Sequence, residues 1–359
     1  MKIIHCSDLH LDSKMETNLD KEKARERKNE ILITFERMID YSKENDVKII
    51  IIAGDLFDKK TISTKTKNIV KTAVLSNPEI DFLYLKGNHD EAGFIDEDEE
   101  IPTNLKIFNN SWTTYKYKDL TISGIEFGNT DNYDIYNSLI LEKNTLNIVV
   151  MHGQESESNV KDKAEIINLK ELKNKNIDYL ALGHIHSYKQ EKLDKRGVYC
   201  YSGCLEGRGF DECGEKGFVL LDIEENKIKS KFIPFASRNL YEIHVDITGT
   251  KENNEIEQRI TKKIKNIPET GMVKIVLDGE VEIGEERDIE YLTKKFESNF
   301  YYLKIEDKPT IKIDYMKYKN DISLKGEFIR KVIEQDDLTE EEKSKIISTG
   351  IKALSGEDV

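Results

Sequence analysis

The sequence of 359 residues contains little proline, little cysteine and no long apolar run. Only five prolines and the lack of a low-complexity tract argue against long disordered linkers. The longest apolar run, residues 49–53, is far shorter than the ~20 residues that a membrane-spanning helix needs. The four cysteines do not make a disulfide framework in a chain of this length. No fourth ligand lies at zinc-finger spacing from Cys200, Cys204 and Cys213, so we expect buried thiols.

The chain is also short of positive charge. It has 55 Lys and Arg against 69 Asp and Glu, which gives a formal net charge of −14. Bulk charge therefore gives no support for a protein that coats nucleic acid or an anionic membrane, although a local basic track stays compatible with the composition. Near the amino terminus, His5, Asp8, His10 and Asp12 stand where a secretion signal needs an unbroken apolar stretch, so we expect a cytoplasmic protein.

Short apolar runs alternate with amphipathic segments over the first two thirds of the chain. Two segments, 21–45 and 64–76, have the apolar spacing of helices. Five short apolar runs are predicted as strands: 2–6, 47–53, 82–85, 146–151 and 177–182, of which 47–53 is rich in β-branched residues. This alternation predicts an α/β fold with a sheet covered on both faces, followed by antiparallel strands with Gly turns over 198–234.

The pattern divides the chain into three predicted segments, residues 1–235, 239–318 and 322–356. The second is predicted as a small α/β domain with the order β-α-β-α-β and one further strand. The third contains two amphipathic helices, and Thr339 with Glu342 forms a capping-box signature before the second of them. These helices either pack on their own domain or form a hairpin that docks a partner, and the pattern leaves both interpretations open.

Five of the seven histidines lie in four short motifs, and a further motif supplies two aspartates. Each motif follows directly on a predicted strand. Because segments that leave the carboxyl ends of strands meet at one edge of a sheet, we expect these side chains to lie close together. The motifs are Asp8-Leu9-His10, Gly54-Asp55-Leu56-Phe57-Asp58, Gly87-Asn88-His89-Asp90, Met151-His152-Gly153 and Gly183-His184-Ile185-His186.

These motifs offer oxygen and nitrogen ligands and no thiolate. That chemistry suits Mn²⁺, Fe²⁺ or Zn²⁺ and is poorly matched to the all-oxygen sites of Ca²⁺ or Mg²⁺. The donors exceed the need of one such ion, so we predict two divalent ions, about 3.5–4 Å apart, with a shared carboxylate. The candidate ligands are Asp8, His10, Asp55, Asn88, His152, His184 and His186. Asp58 is interpreted as a turn residue or a partner of a ligand, and His5 and His244 are interpreted as structural.

The order of the motifs resembles that of the calcineurin-like metallophosphoesterases: D-x-H, GD-x-x-D, GNHD, H and GH-x-H. Within that superfamily, SDLHLDS, GDLFD and GNHD are similar to the SbcD-type DNA repair exonucleases. The stretch YSGCLEGRGFDECGEKGF resembles the segment that closes their catalytic domain, and its GRGFDE part is closer to the YhaO-type bacterial branch. The resemblance spans residues 1–235. It implies an α/β fold, the metallophosphoesterase αββα sandwich, followed by a small C-terminal α/β capping domain and a helical tail.

The resemblance also implies a role for each matching residue. The first ion would be held by Asp8, His10 and His186, the second by Asn88, His152 and His184, and Asp55 would bridge them. His89 would stabilise the pentavalent phosphate and protonate the leaving oxygen, with Asp90 orienting its ring.

The resemblance implies a metal-dependent DNA exonuclease or endonuclease that hydrolyses phosphodiester bonds in DNA repair with two ions, for which Mn²⁺ is the first choice. It implies an SbcC-like coiled-coil ATPase as partner and a homodimer through the catalytic domains. The sequence has no GxxxxGK[ST] loop, so any dependence on ATP has to come from a partner. Two alternatives stay open: a phosphodiesterase for small substrates such as cyclic nucleotides, and a non-catalytic scaffold subunit.

Overall fold

The computed structural model describes residues 1–15, 19–58, 62–90, 94–95, 100–126, 133–157, 166–282, 287–312, 318 and 320–354. The chain divides into two compact units, Met1–Asn239 and Leu240–Val359. Both units combine helices with parallel strands, so the predicted α/β class is confirmed.

The first unit contains two six-stranded sheets, each with a parallel centre. The first sheet has the order β14 (Lys227–Pro234), β13 (Gly217–Glu224), β1 (Lys2–Cys6), β2 (Val47–Ala53), β3 (Asp81–Leu85) and β4 (Leu105–Ile107). The second has the order β11 (Lys189–Lys192), β12 (Val198–Tyr201), β10 (Tyr179–Gly183), β7 (Leu146–His152), β6 (Leu120–Gly124) and β5 (Thr113–Tyr117). The short strands β8 (Gln154–Ser156) and β9 (Ile166–Asn168) pair with each other.

The two sheets pack face to face, with helices on their outer faces. In β2, Ile49 and Ile51 belong to the core between the sheets, whereas Ile50 and Ile52 belong to the core outside the first sheet, because alternate residues of a strand face opposite sides. That outer core also takes in the buried faces of α1 (Lys21–Glu44) and α2 (Thr64–Leu75). On the far side, α3 (Tyr133–Ser138) and α4 (Leu169–Leu172) pack on the second sheet. The layers are therefore αββα.

The strand pattern alone was wrong in one respect, because it predicted a single sheet. The predicted buried strands divide between two sheets, and β12 pairs in parallel with β10 although its region was predicted as antiparallel. Strands β4, β5 and β6 were not predicted. Residues Leu105–Ile107 are too few to give a pattern, and Thr113–Tyr117 at the sheet edge is only half-buried and polar.

The second unit contains a three-stranded parallel sheet of β15 (Leu240–Asp246), β16 (Met272–Asp278) and β18 (Tyr302–Asp307). One face of this sheet forms a core with α5 (Asn253–Ile264) and α6 (Ile289–Phe296). The strands β17 (Glu280–Glu282) and β19 (Thr310–Lys312) form a separate pair. The order of helices and strands agrees with the predicted β-α-β-α-β arrangement, with β17 as an additional short strand.

Two helices, α7 (Leu324–Ile333) and α8 (Glu340–Leu354), complete the second unit. They pack together through buried Ile329 and Ile347, and the Ser344 hydroxyl lies 3.2 Å from both the amide nitrogen and the carbonyl oxygen of Ile311 in β19. The predicted capping box forms, since the Thr339 amide donates to Glu342 at 2.8 Å and the Glu342 amide donates to the Thr339 hydroxyl at 3.3 Å. Within the described ranges, every helix is too short or too polar to cross a bilayer.

Candidate metal centre

The carboxyl ends of the central strands of both sheets meet at one place. The loops after β1 and β2 are joined because the amide of Asp8 donates to the carbonyl of Gly54, and that of His10 to Asp55, both at 3.0 Å. A Cβ at Gly183, the end of β10, would overlap the carbonyl oxygen of Ala53 at the end of β2. Glycine is therefore required where the edges of the two sheets come together.

Four of the predicted ligands have left-handed backbone conformations. The φ angles are 52° at Asp8, 45° at His10, 53° at Asp55 and 105° at His184. Such angles cost a non-glycine residue of the order of 1–3 kcal/mol and cluster at functional sites. The hydrogen bonds between the loops after β1 and β2 hold the strained conformations of Asp8, His10 and Asp55 in place.

One group of side chains joins the first loop to the last. Nε2 of His10 lies 3.1 Å from Nε2 of His186, which in turn lies 3.8 Å from Oδ1 of Asp8. The three side chains each offer a ligand atom within 4.8 Å of the others, a spacing that suits one metal ion.

A second group lies beside the first. Nε2 of His152 lies 3.3 Å from Oδ2 of Asp55 and 3.0 Å from Oδ1 of Asn88. Oδ2 of Asp55 is also 3.8 Å from Nε2 of His10, so this carboxylate stands between the two groups. The ring of His184 lies next to that of His152, with centroids 5.4 Å apart. The structure therefore brings all seven predicted ligands into one cluster.

Three of the histidines present Nε2 to this centre because their Nδ1 atoms face other groups. Nδ1 lies 3.1 Å from Asp58 in His10, 2.7 Å from Glu212 in His186 and 2.9 Å from the carbonyl oxygen of Ala53 in His152. Partners of this kind orient a metal-binding imidazole and set its tautomer. The interpretation of Asp58 as a partner of a ligand agrees with its position beside His10.

The electrostatics of the centre also fit divalent cations. The side chains of Asp8 and Asp55 are almost fully buried, and among the described residues their ion-pair partners are histidines. Burial opposes ionisation of Asp55, but the hydrogen bond and charge of His152 and the charge of His10 outweigh it and lower the pKa of Asp55 to about 2. Two buried carboxylates among imidazole nitrogens, with no cysteine in the groups that the described residues form, are a suitable set of ligands for such ions.

Comparison with known sequences agrees with this chemistry. The profile of the calcineurin-like phosphoesterase family matches residues 1–188, which is more than half of the chain. The chain belongs to this family. It is accordingly a metal-dependent phosphoesterase of a family that binds two divalent ions, and the predicted family and enzyme class are confirmed.

The individual proteins that resemble this phosphoesterase have low sequence identity to it. "Uncharacterized metallophosphoesterase YhaO" of Bacillus subtilis (strain 168) is 25% identical over 296 residues, which are 78% of this chain and 72% of the relative. "DNA double-strand break repair protein Mre11" of Saccharolobus solfataricus is 27% identical over 250 residues, 63% of this chain and 61% of the relative. Among solved structures, TT1561 of Thermus thermophilus is 13% identical with a TM-score of 0.43, and the match covers 64% of this chain and 98% of that one.

The phosphoesterase has its predicted proton donor, His89, at the edge of the buried cluster. The His89 side chain is 46% exposed, and its ring centroid lies 5.1 Å from that of His10. The prediction that Asp90 orients this ring was wrong. The turn that carries His89 directs Asp90 away, and its carboxylate accepts from the amides of Gly87, Leu56 and Phe57 at 3.1, 3.1 and 2.7 Å.

The carboxylate beside the His89 ring is Asp58, whose Oδ1 lies 3.5 Å from Nδ1 of His89. Asp90 instead links the loop after β2 to the loop after β3, and burial raises its pKa to about 6 despite the hydrogen bonds from the amides. Asp90 thus supports the backbone that carries Asp55 and Asn88.

Three charged neighbours of the centre were not singled out from the sequence. Arg208 pairs with Asp58 and Glu212, Glu212 contacts His186, and the buried Lys216 donates to the carbonyl of His186 at 2.8 Å. All three lie in the GRGFDECGEKGF stretch that follows the last motif. The density of charged residues in a stretch that passes a predicted metal site was the available signal.

Proposed function

We propose that the chain is a Mn²⁺-dependent nuclease that hydrolyses phosphodiester bonds of DNA in DNA repair. In this proposal the first ion is held by Asp8, His10 and His186, the second by Asn88, His152 and His184, and Asp55 bridges the two. When bound, the ions would polarise the scissile phosphate and neutralise part of its charge.

The main support is the contrast between four buried candidate ligands, Asp8, His10, Asp55 and His152, and the half-exposed His89. The other three candidate ligands lie nearer to solvent, since Asn88 is exposed and His184 and His186 are partly exposed. The ligand side chains of Asp8, His10 and Asp55 are at most 2% exposed, whereas that of His89 is 46% exposed. A phosphate of a bound substrate can therefore meet the His89 ring from solvent while the ligands stay in place. We assign His89 to donate a proton to the leaving sugar oxygen, a role suited to imidazole near neutral pH.

DNA as the substrate is supported by the relative named DNA double-strand break repair protein Mre11 and by the exposure of the His89 side chain to solvent. A net charge of −14 works against binding DNA phosphates, so the isolated chain is expected to bind duplex weakly at physiological salt. We propose that an SbcC-like coiled-coil ATPase contributes much of the affinity for DNA. We also propose that two copies of the chain form a homodimer through residues 1–235. Residues 239–318 would form the capping domain.

The tail helices are the proposed docking site for that ATPase. Although α7 and α8 pack on their own unit, Ile322 is 99% exposed just before α7 and Leu324, the first residue of α7, is 68% exposed. Large apolar side chains exposed next to each other are typical of surfaces that bind another protein.

The test is degradation of end-labelled linear duplex DNA by the purified chain in Mn²⁺ at low salt, with a chromogenic small phosphodiester as the parallel substrate. We expect cleavage of DNA that stops when EDTA removes the metal. Turnover of the small ester without cleavage of DNA, even after addition of an SbcC-like ATPase, would instead support the small-substrate phosphodiesterase. Bound metal without hydrolysis of either substrate would support a scaffold.

A further inference from the structure

Arg208 lies outside the ligand cluster but contacts the partners of two of its histidines. Its Nη1 lies 3.2 Å from Oδ1 of Asp58, and its Nη2 lies 2.8 Å from Oε1 of Glu212. Asp58 in turn faces Nδ1 of His10, and Glu212 faces Nδ1 of His186. One guanidinium therefore joins two carboxylate–histidine pairs.

These pairs come from distant parts of the fold. His10 follows β1 and Asp58 follows β2 in the first sheet, whereas His186 follows β10 in the second. The two histidines nevertheless face each other, with 3.1 Å between their Nε2 atoms. The amide of His184 donates to the Asp8 carboxylate at 2.9 and 3.1 Å and so joins the backbones of the two loops, whereas the orientation of the two imidazole rings depends on the carboxylates that face their Nδ1 atoms.

The backbone around Arg208 is itself anchored. The amide of Arg208 donates to Oε2 of Glu212 at 2.7 Å, and the buried Arg27 of α1 donates to the carbonyl of Gly207 at 2.8 Å. The side chain of Arg208 is only 20% exposed, so the position of its guanidinium is set by the fold rather than by solvent.

We propose that Arg208 is a positioning residue that sets the orientation of His10 and His186 toward one metal ion by holding Asp58 and Glu212. The inference rests on the proposed assignment of His10 and His186 to the same ion. Arginine suits the position because its planar fork can contact two carboxylates at fixed angles, whereas the ammonium of lysine is a single point charge.

Charge and position predict opposite results for the loss of Arg208. If the guanidinium acted only as a positive charge near the centre, its removal would strengthen the binding of a cation. If it positions the histidines, its removal weakens the binding of one ion, because the partners of metal-binding imidazoles typically contribute tenfold to a hundredfold in affinity. The sign of the change therefore separates the two explanations.

The experiment is a titration of the full-length, metal-free protein with Mn²⁺, followed by calorimetry and by the electron paramagnetic resonance signal of bound Mn²⁺. The variants are Arg208→Ala and Arg208→Lys. The matched control is Arg196→Ala, which removes a partly buried arginine that pairs with Asp178 at the opposite end of β10.

We expect Arg208→Ala to weaken one of the two Mn²⁺ sites about tenfold and to leave the other unchanged. Arg208→Lys should recover part of this loss, and Arg196→Ala should leave both affinities and the resonance signal as in the natural protein. Unchanged or tighter binding by Arg208→Ala, in a variant that melts with the same cooperativity as Arg196→Ala, would overturn the inference. If Arg208→Ala does not fold, Arg208→Lys is the deciding variant. Weaker binding at one of its two Mn²⁺ sites would support the inference, and unchanged binding at both sites would overturn it. Failure of the natural protein to bind two Mn²⁺ would contradict the proposed function instead.

Discussion

Oδ1 of Asp58 lies 3.5 Å from Nδ1 of His89. The same oxygen is 3.1 Å from Nδ1 of His10, so a single carboxylate stands between a predicted metal ligand and the predicted proton donor. Asp58 thus connects the geometry of the metal centre to that of the group that faces the substrate.

This position favours Asp58 over Asp90, the residue to which the family resemblance gave the role of orienting His89. We expect Asp58→Asn to lower kcat for DNA hydrolysis at least about tenfold, since an uncharged amide orients the imidazoles of His89 and His10 less well. Single-turnover rates at saturating Mn²⁺ are the measurement, because excess metal separates the effect on His89 from weaker metal binding through His10. A rate equal to that of the natural protein would contradict this role.

Asp90 is expected to act on stability. Replacement by alanine leaves the amides of Gly87, Leu56 and Phe57 without their acceptor in a buried place. We expect Asp90→Ala to lower the free energy of unfolding by about 2–4 kcal/mol, measured by urea denaturation of the metal-free protein. Asp40→Ala, which removes an aspartate that is 62% exposed on α1, is the control and should change it by less than about 0.5 kcal/mol. Equal effects of the two substitutions would refute the assignment.

Glu206 forms a second buried connection, between α1 and the stretch that contains Arg208. Its carboxylate accepts from Thr34 at 2.7 Å and pairs with the fully buried Arg27 at 3.2 Å. Removing one partner of a buried ion pair typically costs about 3–5 kcal/mol when the other charge is left uncompensated. Because Arg27 also pairs with Glu30, we expect a smaller loss, about 2–3 kcal/mol, for Glu206→Ala. Urea denaturation beside the exposed Glu36→Ala checks it, and a loss below about 1 kcal/mol would mean that the pair is dispensable.

The exposed start of α7 predicts a separation of partner binding from chemistry. We expect the double substitution Ile322→Ser and Leu324→Ser to weaken binding of an SbcC-like ATPase at least tenfold, with basal Mn²⁺-dependent hydrolysis unchanged. Ile33→Ser, at an apolar side chain that is 49% exposed on α1, is the matched control. Affinity can be measured by calorimetry, and an ATPase that binds the double variant as tightly as the natural chain would exclude this docking site.

The predictable part of the fold was the set of strands that are apolar on both faces. Runs such as Val47–Ala53 are recognisable because a parallel strand buried on both faces is apolar at nearly every position. The same property hides which sheet a strand joins, since Ile49 and Ile50 serve different cores but are chemically alike. Edge strands such as Thr113–Tyr117 lack that signature and were missed.

The candidate site divides in a similar way. Its ligands could be predicted because each follows a strand in a short motif, and the ends of strands converge whatever the length of chain between them. The contact of Arg208 with Asp58 could not be predicted, because the two residues are 150 positions apart and meet only through the fold. The error over Asp90 has the same origin, since neighbours along the chain need not face the same way in a turn.

The most direct test of the account is a parallel measurement of bound Mn²⁺ and DNA cleavage for the natural protein and His89→Ala. The account predicts two bound Mn²⁺ ions per chain in both proteins, together with a loss of hydrolysis in the variant of about 10²–10⁴-fold, the usual contribution of a general acid. Loss of bound metal in His89→Ala would contradict its placement outside the ligand set. Cleavage by the variant at the natural rate would contradict its role as the proton donor.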